Sequence, residues 1–147
     1  MTRPRLHQLW LALLLGASGL LITNGVSAAV VVVMSADGDT EQLSKSQVIN
    51  IFLGRDRELP DGTKAIPVDL PANNPAKAEF YRVMVNKDLD QMAAYWSRFV
   101  FAGSTTPPYQ ATDIPQMIRF LANHPGAVGY LNSSIKDPRI KVVLRLE

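Results

Sequence analysis

Ala65-Ile66-Pro67-Val68-Asp69-Leu70-Pro71-Ala72-Asn73-Asn74-Pro75-Ala76-Lys77-Ala78-Glu79-Phe80-Tyr81 passes from an apolar run to a helical pattern within a few residues. Ala65 to Val68 is a short apolar run of strand length. Asn74 then offers an N-cap side chain, and Pro75 suits the first helical position, where a missing N–H costs nothing. Behind it Phe80, Val83 and Met84 recur at helical spacing. The stretch is therefore strand, tight loop and helix start. Free backbone N–H groups and the positive end of the helix dipole make such a corner suitable for an anion. Most such corners of α/β proteins bind nothing, and this one lacks a glycine-rich signature.

Outward toward the N-terminus, Ala29-Val30-Val31-Val32-Val33-Met34 is a continuous β-branched run. It fits a strand buried on both faces, in the middle of a sheet covered by helices. Ser44 followed by Gln47 has capping-box spacing, with Leu43 and Val48 placed for a hydrophobic staple. Val48, Ile51 and Phe52 form the stripe of that helix, and Gly54 ends it. Pro60-Asp61-Gly62 closes a charged loop with a turn signature.

Toward the C-terminus, a helix starting near Asp88 carries Leu89, Met92, Ala93, Trp96 and Phe99 on one face, the pattern of a core-facing stripe. Ala102 to Thr112 reads as a long polar loop. Thr112 or Asp113 caps a helix bearing Ile114, Met117, Ile118 and Leu121, which Asn123-His124-Pro125-Gly126 terminates. Strands are predicted over Ala127 to Leu131 and Ile140 to Leu146. The alternation gives an α/β layered domain, a mixed sheet flanked by helices.

Arg3 and Arg5, the apolar run from Trp10 to Ile22, and Val26-Ser27-Ala28 read as a cleaved signal peptide over residues 1–28. The apolar run is short for a membrane span, which takes about 20 residues. No Cys occurs, so a lipid-anchoring cysteine is excluded and no disulfide supports the exported chain. Cleavage leaves one domain, residues 29–147, in which 13 Lys and Arg face 13 Asp and Glu. That balance argues against a nucleic-acid partner. His124 is then the one remaining histidine, which gives no support for a zinc site or for acyl transfer. No catalytic residue, metal site or cofactor is read from the chain. Ser104 and Thr105, in Gly103-Ser104-Thr105-Thr106, have hydroxyls and backbone N–H groups to offer an anion, although the run also reads as an ordinary polar loop.

Three segments, in order, resemble the periplasmic phosphate-binding proteins of ABC transporters. They are Leu43 to Gly54, which ends in Ile51-Phe52-Leu53-Gly54; Ile66 through Phe80; and His124-Pro125-Gly126-Ala127-Val128-Gly129-Tyr130-Leu131, close to the family's Pro-Gly-Ala-Ile-Gly-Tyr-Val. The resemblance implies one lobe of a type II periplasmic-binding-protein fold, where the full-length family has two lobes hinged over buried phosphate. A gapless comparison places Leu70 where the family has an Arg, and Asn73-Asn74-Pro75-Ala76 where it has Gly-Ser-Gly-Thr. The guanidinium clamp and both hydroxyls are missing, and Pro75 removes a donor. The ligand-binding candidates are therefore Asn73, Asn74, Ala76 and Lys77, helped by Ser104 and Thr105. The resemblance implies an exported, periplasmic, non-enzymatic protein that binds phosphate or another small anion weakly. Its implied partners are an ABC transporter, a protein supplying a second lobe, or a second copy of the chain. The alternative is an envelope assembly module that binds no solute.

Overall fold

Four consecutive valines have no polar face to turn to water, and Val30–Val33 are at most 3% exposed. They belong to the first element of a computed structural model that describes residues 29–146. The expected export signal, residues 1–28, lies outside the described residues. In chain order the elements are β1 (Val30–Ser35), α1 (Lys45–Phe52), β2 (Ile66–Asp69), α2 (Pro75–Val85), α3 (Leu89–Phe101), β3 (Tyr109–Gln110), α4 (Ile114–Asn123), β4 (Ala127–Asn132) and β5 (Ile140–Arg145). The sheet order is β3-β2-β4-β1-β5. β2 runs parallel to β3 and β4, whereas β1 is antiparallel to β4 and β5. The fold is the expected α/β arrangement, a mixed sheet flanked by helices. The valines are not its middle, however: β4 holds that position, and β1 lies beside it. The loop expected over Ala102 to Thr112 contains the edge strand β3.

Local chemistry starts each helix. Ser44 and Gln47 form a reciprocal capping box at α1, and Asp88 and Gln91 form another at α3. Asp113 caps α4 by accepting from the Gln116 N–H. Asn86 takes the left-handed conformation that ends α2.

The two faces of the sheet divide the helices. Tyr130 lies opposite Val32 across the β1–β4 ladder, and its ring meets Phe52 of α1 and Phe80 of α2. Gly129 lies opposite Val33 and faces α4, where a Cβ would crowd Met117 and Leu121. Gly126 is needed for a different reason, because a Cβ there would overlap the Lys64 carbonyl beside the start of β2. The Pro125-to-Tyr130 segment thus combines a close backbone approach, a seat for α4 and an aromatic pillar under α2. Phe80 and Tyr130 stack at 4.0 Å, and Phe52 approaches Phe80 at 4.7 Å. Each such pair contributes about 0.5–1.5 kcal/mol beyond its area burial. Among the described residues no helix is long and apolar enough to cross a membrane.

Candidate functional site

The start of α2 is built as its sequence suggests, and its donors are already engaged. Asn74 Oδ1 accepts from the Ala76 N–H at 3.0 Å, the Lys77 N–H donates to the Asn74 carbonyl at 3.0 Å, and the Asn74 N–H donates to the Pro71 carbonyl at 2.9 Å. Pro75 has no N–H to give. Asn73 and Asn74 line an open depression of about 420 Å³ that also reaches the start of α4, including the capping carboxylate Asp113. No Lys or Arg lines that depression.

Ser104 and Thr105 lie elsewhere. They line a depression of about 610 Å³ together with Arg57 and Val100. The Arg57 guanidinium donates to the Thr105 hydroxyl and to the Thr106 carbonyl, and the Ser104 hydroxyl donates weakly to the Phe99 carbonyl. Neither Asn73 nor Asn74 lines this depression, so the sequence candidates divide between separate surfaces.

Lys77 belongs to a third place, where it forms the most buried ion pair among the described residues. A cavity of about 180 Å³ between α2 and α3 is lined by Asp69, Lys77, Tyr81, Leu89, Met92 and Trp96, among others. Asp69, at the C-terminal end of β2, is 6% exposed. Its Oδ2 accepts from the Tyr81 hydroxyl at 2.8 Å and lies 3.5 Å from Lys77 Nζ. Its Oδ1 accepts from the Tyr130 hydroxyl, which in turn accepts from the Leu70 N–H at 3.2 Å. A buried carboxylate is costly unless paired and hydrogen-bonded, and here three donors converge on it. Burial, reinforced by the Asp69 charge, pushes both tyrosine hydroxyls well above their ordinary range. They therefore act as neutral donors at any physiological pH. The cavity lies outside the carboxyl end of a parallel strand, where open α/β sheets bind ligands. The indole N–H of Trp96 is buried without an acceptor.

Asp69, Tyr81 and Tyr130 are absent from the sequence candidates. The available signal was an acid set directly between apolar Val68 and Leu70 at a strand end, where a charge needs a partner. Its partner Tyr130 is remote in the chain, so spacing does not connect them. Leu70, at the family's Arg position, is fully buried, and its carbonyl accepts from Gln110 Nε2. An Arg at this position would place a guanidinium in the core. His124 is exposed, stacks on Phe120, and has Nδ1 2.8 Å from the Phe120 carbonyl. Among the described residues no group of three or more His, Cys, Asp or Glu is placed to hold a metal.

No family model and no curated protein matches the sequence. Solved structures share the fold. An ABC-type phosphate transport receptor from Vibrio cholerae superposes with a TM-score of 0.61 at 14% identity, over 78% of this chain and 45% of the receptor. A Clostridium perfringens protein described as a phosphate ABC transporter substrate-binding protein, solved with bound phosphate, gives 0.61 at 12% identity, over 78% of this chain and 44% of its own. PstS from Borrelia burgdorferi gives 0.56 at 10% identity, over 79% and 46%. The chain thus spans less than half the length of these proteins, and the likeness is one of fold.

Proposed function

We propose that this chain is an exported, periplasmic solute-binding-like protein related to the phosphate ABC transporter substrate-binding component. In this reading it binds phosphate or another small anion weakly and is not an enzyme. The observation that carries the proposal is Lys77. In a fold shared with phosphate-transport proteins, a cation is anchored by Asp69 at the C-terminal end of a parallel strand. Asn73 and Asn74 offer side-chain amides on a separate depression toward α4, where the Ala76 N–H is held by the Asn74 cap. Ser104 and Thr105, with Arg57, offer a second polar surface at the C-terminal end of α3.

Weak affinity follows from chemistry. Hydrogen bonds to charged groups contribute about 1.5–3 kcal/mol each, so losing the family's Arg and two hydroxyls removes on the order of 4–8 kcal/mol. That is roughly three to six decades of affinity. The expected partner is a second wall, from another copy of the chain or from a transporter-associated protein. Calorimetric titration with phosphate, sulfate and a carboxylate tests the reading, and binding in the millimolar range or weaker is expected. Submicromolar phosphate binding by the monomer would show that other residues have replaced the missing ligands. Export is tested separately by sequencing the N-terminus of the protein from cells. Ala29 is the expected first residue, and a full-length chain embedded in the membrane would contradict it.

One observation favours an assembly module instead. Phe101 is 97% exposed and Val100 55% exposed at the end of α3, beside the Arg57 depression. An apolar surface of this kind suits a protein partner.

A further inference from the structure

We infer that the cavity between α2 and α3 is a binding site for a small carboxylate carrying an apolar body, held by Lys77 and enclosed by Met92, Leu89 and Trp96. The inference deepens the solute-binding reading, since it uses the same cation, and it names a different ligand class from phosphate.

Size comes first. The cavity of about 180 Å³ has room for on the order of six non-hydrogen atoms at about 30 Å³ each. That is well below the range of about 300–1,000 Å³ typical of sites for drug-sized ligands.

Polarity then selects the class. Leu89, Met92, Trp96 and the Tyr81 ring present carbon to the cavity, and the charged groups are Lys77 and Asp69. A phosphate would lose water on the apolar side and find no donors there. A carboxylate with a short hydrocarbon tail matches both sides. Met92 suits the tail, because its flexible thioether adapts to irregular shapes.

The charge pair sets the orientation. Asp69 already accepts from Tyr81 and Tyr130 and lies against Lys77, so its oxygens are occupied. An incoming amine would find that carboxylate engaged and would be repelled by the ammonium. The Lys77 ammonium lies 3.5 Å from Asp69 Oδ2 and carries three N–H donors, so donors remain for a ligand oxygen. The resulting charge-assisted hydrogen bond is the strong kind. Trp96, in the same wall, has a buried N–H with no acceptor in the described chain. That N–H is covered by the protein itself, so the indole meets a ligand through its ring.

The test titrates the protein with butyrate, butylamine, butanol and inorganic phosphate, by calorimetry and by tryptophan emission. Butyrate is expected to bind and to shift an emission component that disappears in Trp96→Phe. Lys77→Met is expected to weaken butyrate at least about tenfold, in line with one lost charge-assisted hydrogen bond, while Lys77→Arg keeps part of the affinity. Should Lys77→Met fail to fold, Met92→Trp fills the cavity from the opposite wall and is expected to abolish butyrate binding. Phosphate binding without butyrate binding overturns the ligand class and leaves the solute-binding reading standing. Silence from both, with each ligand carried well above the millimolar range, overturns both. Butylamine tighter than butyrate, or butyrate unaffected by Lys77→Met and Met92→Trp, removes the site.

Discussion

Helices α2 and α3 follow one another, carry similar apolar stripes, and are seated very differently. α2 buries Phe80, Tyr81 and Met84 against the sheet, with Phe80 stacked on Tyr130 of the central strand. α3 is two residues longer and buries Met92 alone. Leu89, Tyr95 and Trp96 are partly covered, Ala93 is exposed, and Phe101 is almost wholly in solvent. The Tyr95 hydroxyl ties α3 to the end of α1 by donating to the Leu53 carbonyl at 2.8 Å. Periodicity fixes which face of a helix turns inward but not what it meets there. α2 lies on strands, whereas α3 lies on α2 and leaves a cavity beneath it.

The seating of the two helices should show most strongly in folding stability. Phe80→Ala should cost about 3–5 kcal/mol, the range for emptying a packed aromatic site. Phe99→Ala, on the half-exposed face of α3, should cost no more than about 1 kcal/mol, as for substitutions away from the core. Urea denaturation of both variants measures the contrast. Equal losses would mean that α3 is as much a part of the core as α2.

The next effect concerns the ionisable groups under α2. Burial and Asp69 hold the hydroxyls of Tyr81 and Tyr130 above their ordinary value of 10.0. Raised folded-state values mean that the unfolded chain gives up these protons first as pH rises. The stabilisation is therefore complete below pH 10 and declines above it. At pH 11 the two groups together should cost about 3 kcal/mol relative to neutral pH, at about 1.4 kcal/mol for each proton and pH unit. Thermal melts from pH 8 to 12 report it, and Tyr81→Phe should reduce the alkaline slope by about half. A slope unchanged by Tyr81→Phe would mean that other groups drive alkaline unfolding.

These expectations show which parts of the molecule the sequence exposes. Ser44 with Gln47, Asn74 with Pro75, and the acid before each later helix act within four residues, so their roles were legible from spacing. The valine run and the Pro125-to-Tyr130 segment were legible because each carries an uninterrupted pattern. The candidate site was less so. Asn73 and Asn74 stood out as donors, but the cap that made Asn74 recognisable engages the first-turn N–H groups itself. Ser104 and Thr105 looked complementary to that corner, yet the chain pairs them with Arg57. Asp69 and Tyr130 are brought together by the β2–β4 pairing, a long-range contact that local pattern does not reveal.

A smaller effect sharpens the contrast between burial and capping. Asn74→Ala and Asp88→Ala each remove an N-cap, the first from the well-seated helix and the second from the loosely seated one. A cap satisfies local backbone donors whatever lies under the helix, so both should cost about 1 kcal/mol. Chemical denaturation measures them side by side. A loss at Asp88 far below that at Asn74 would indicate that α3 frays at its start in the native protein.

The smallest expected effect on the monomer is at the other end of α3. Phe101 is 97% exposed and has almost no burial to lose, so Phe101→Ser should change folding stability by no more than about 0.5 kcal/mol. Association is where the residue should matter. An exposed aromatic beside exposed Val100, next to a depression holding the Arg57 guanidinium, offers apolar area and a cation on one surface. Phe and Arg are both enriched at protein interfaces. If this surface receives the second wall, Phe101→Ser should abolish self-association or partner capture in sedimentation while leaving the melting temperature in place. If sedimentation is unchanged and the melting temperature falls by several degrees, Phe101 is part of the core in solution. The loose seating of α3, and the cavity beneath it, would then be wrong together.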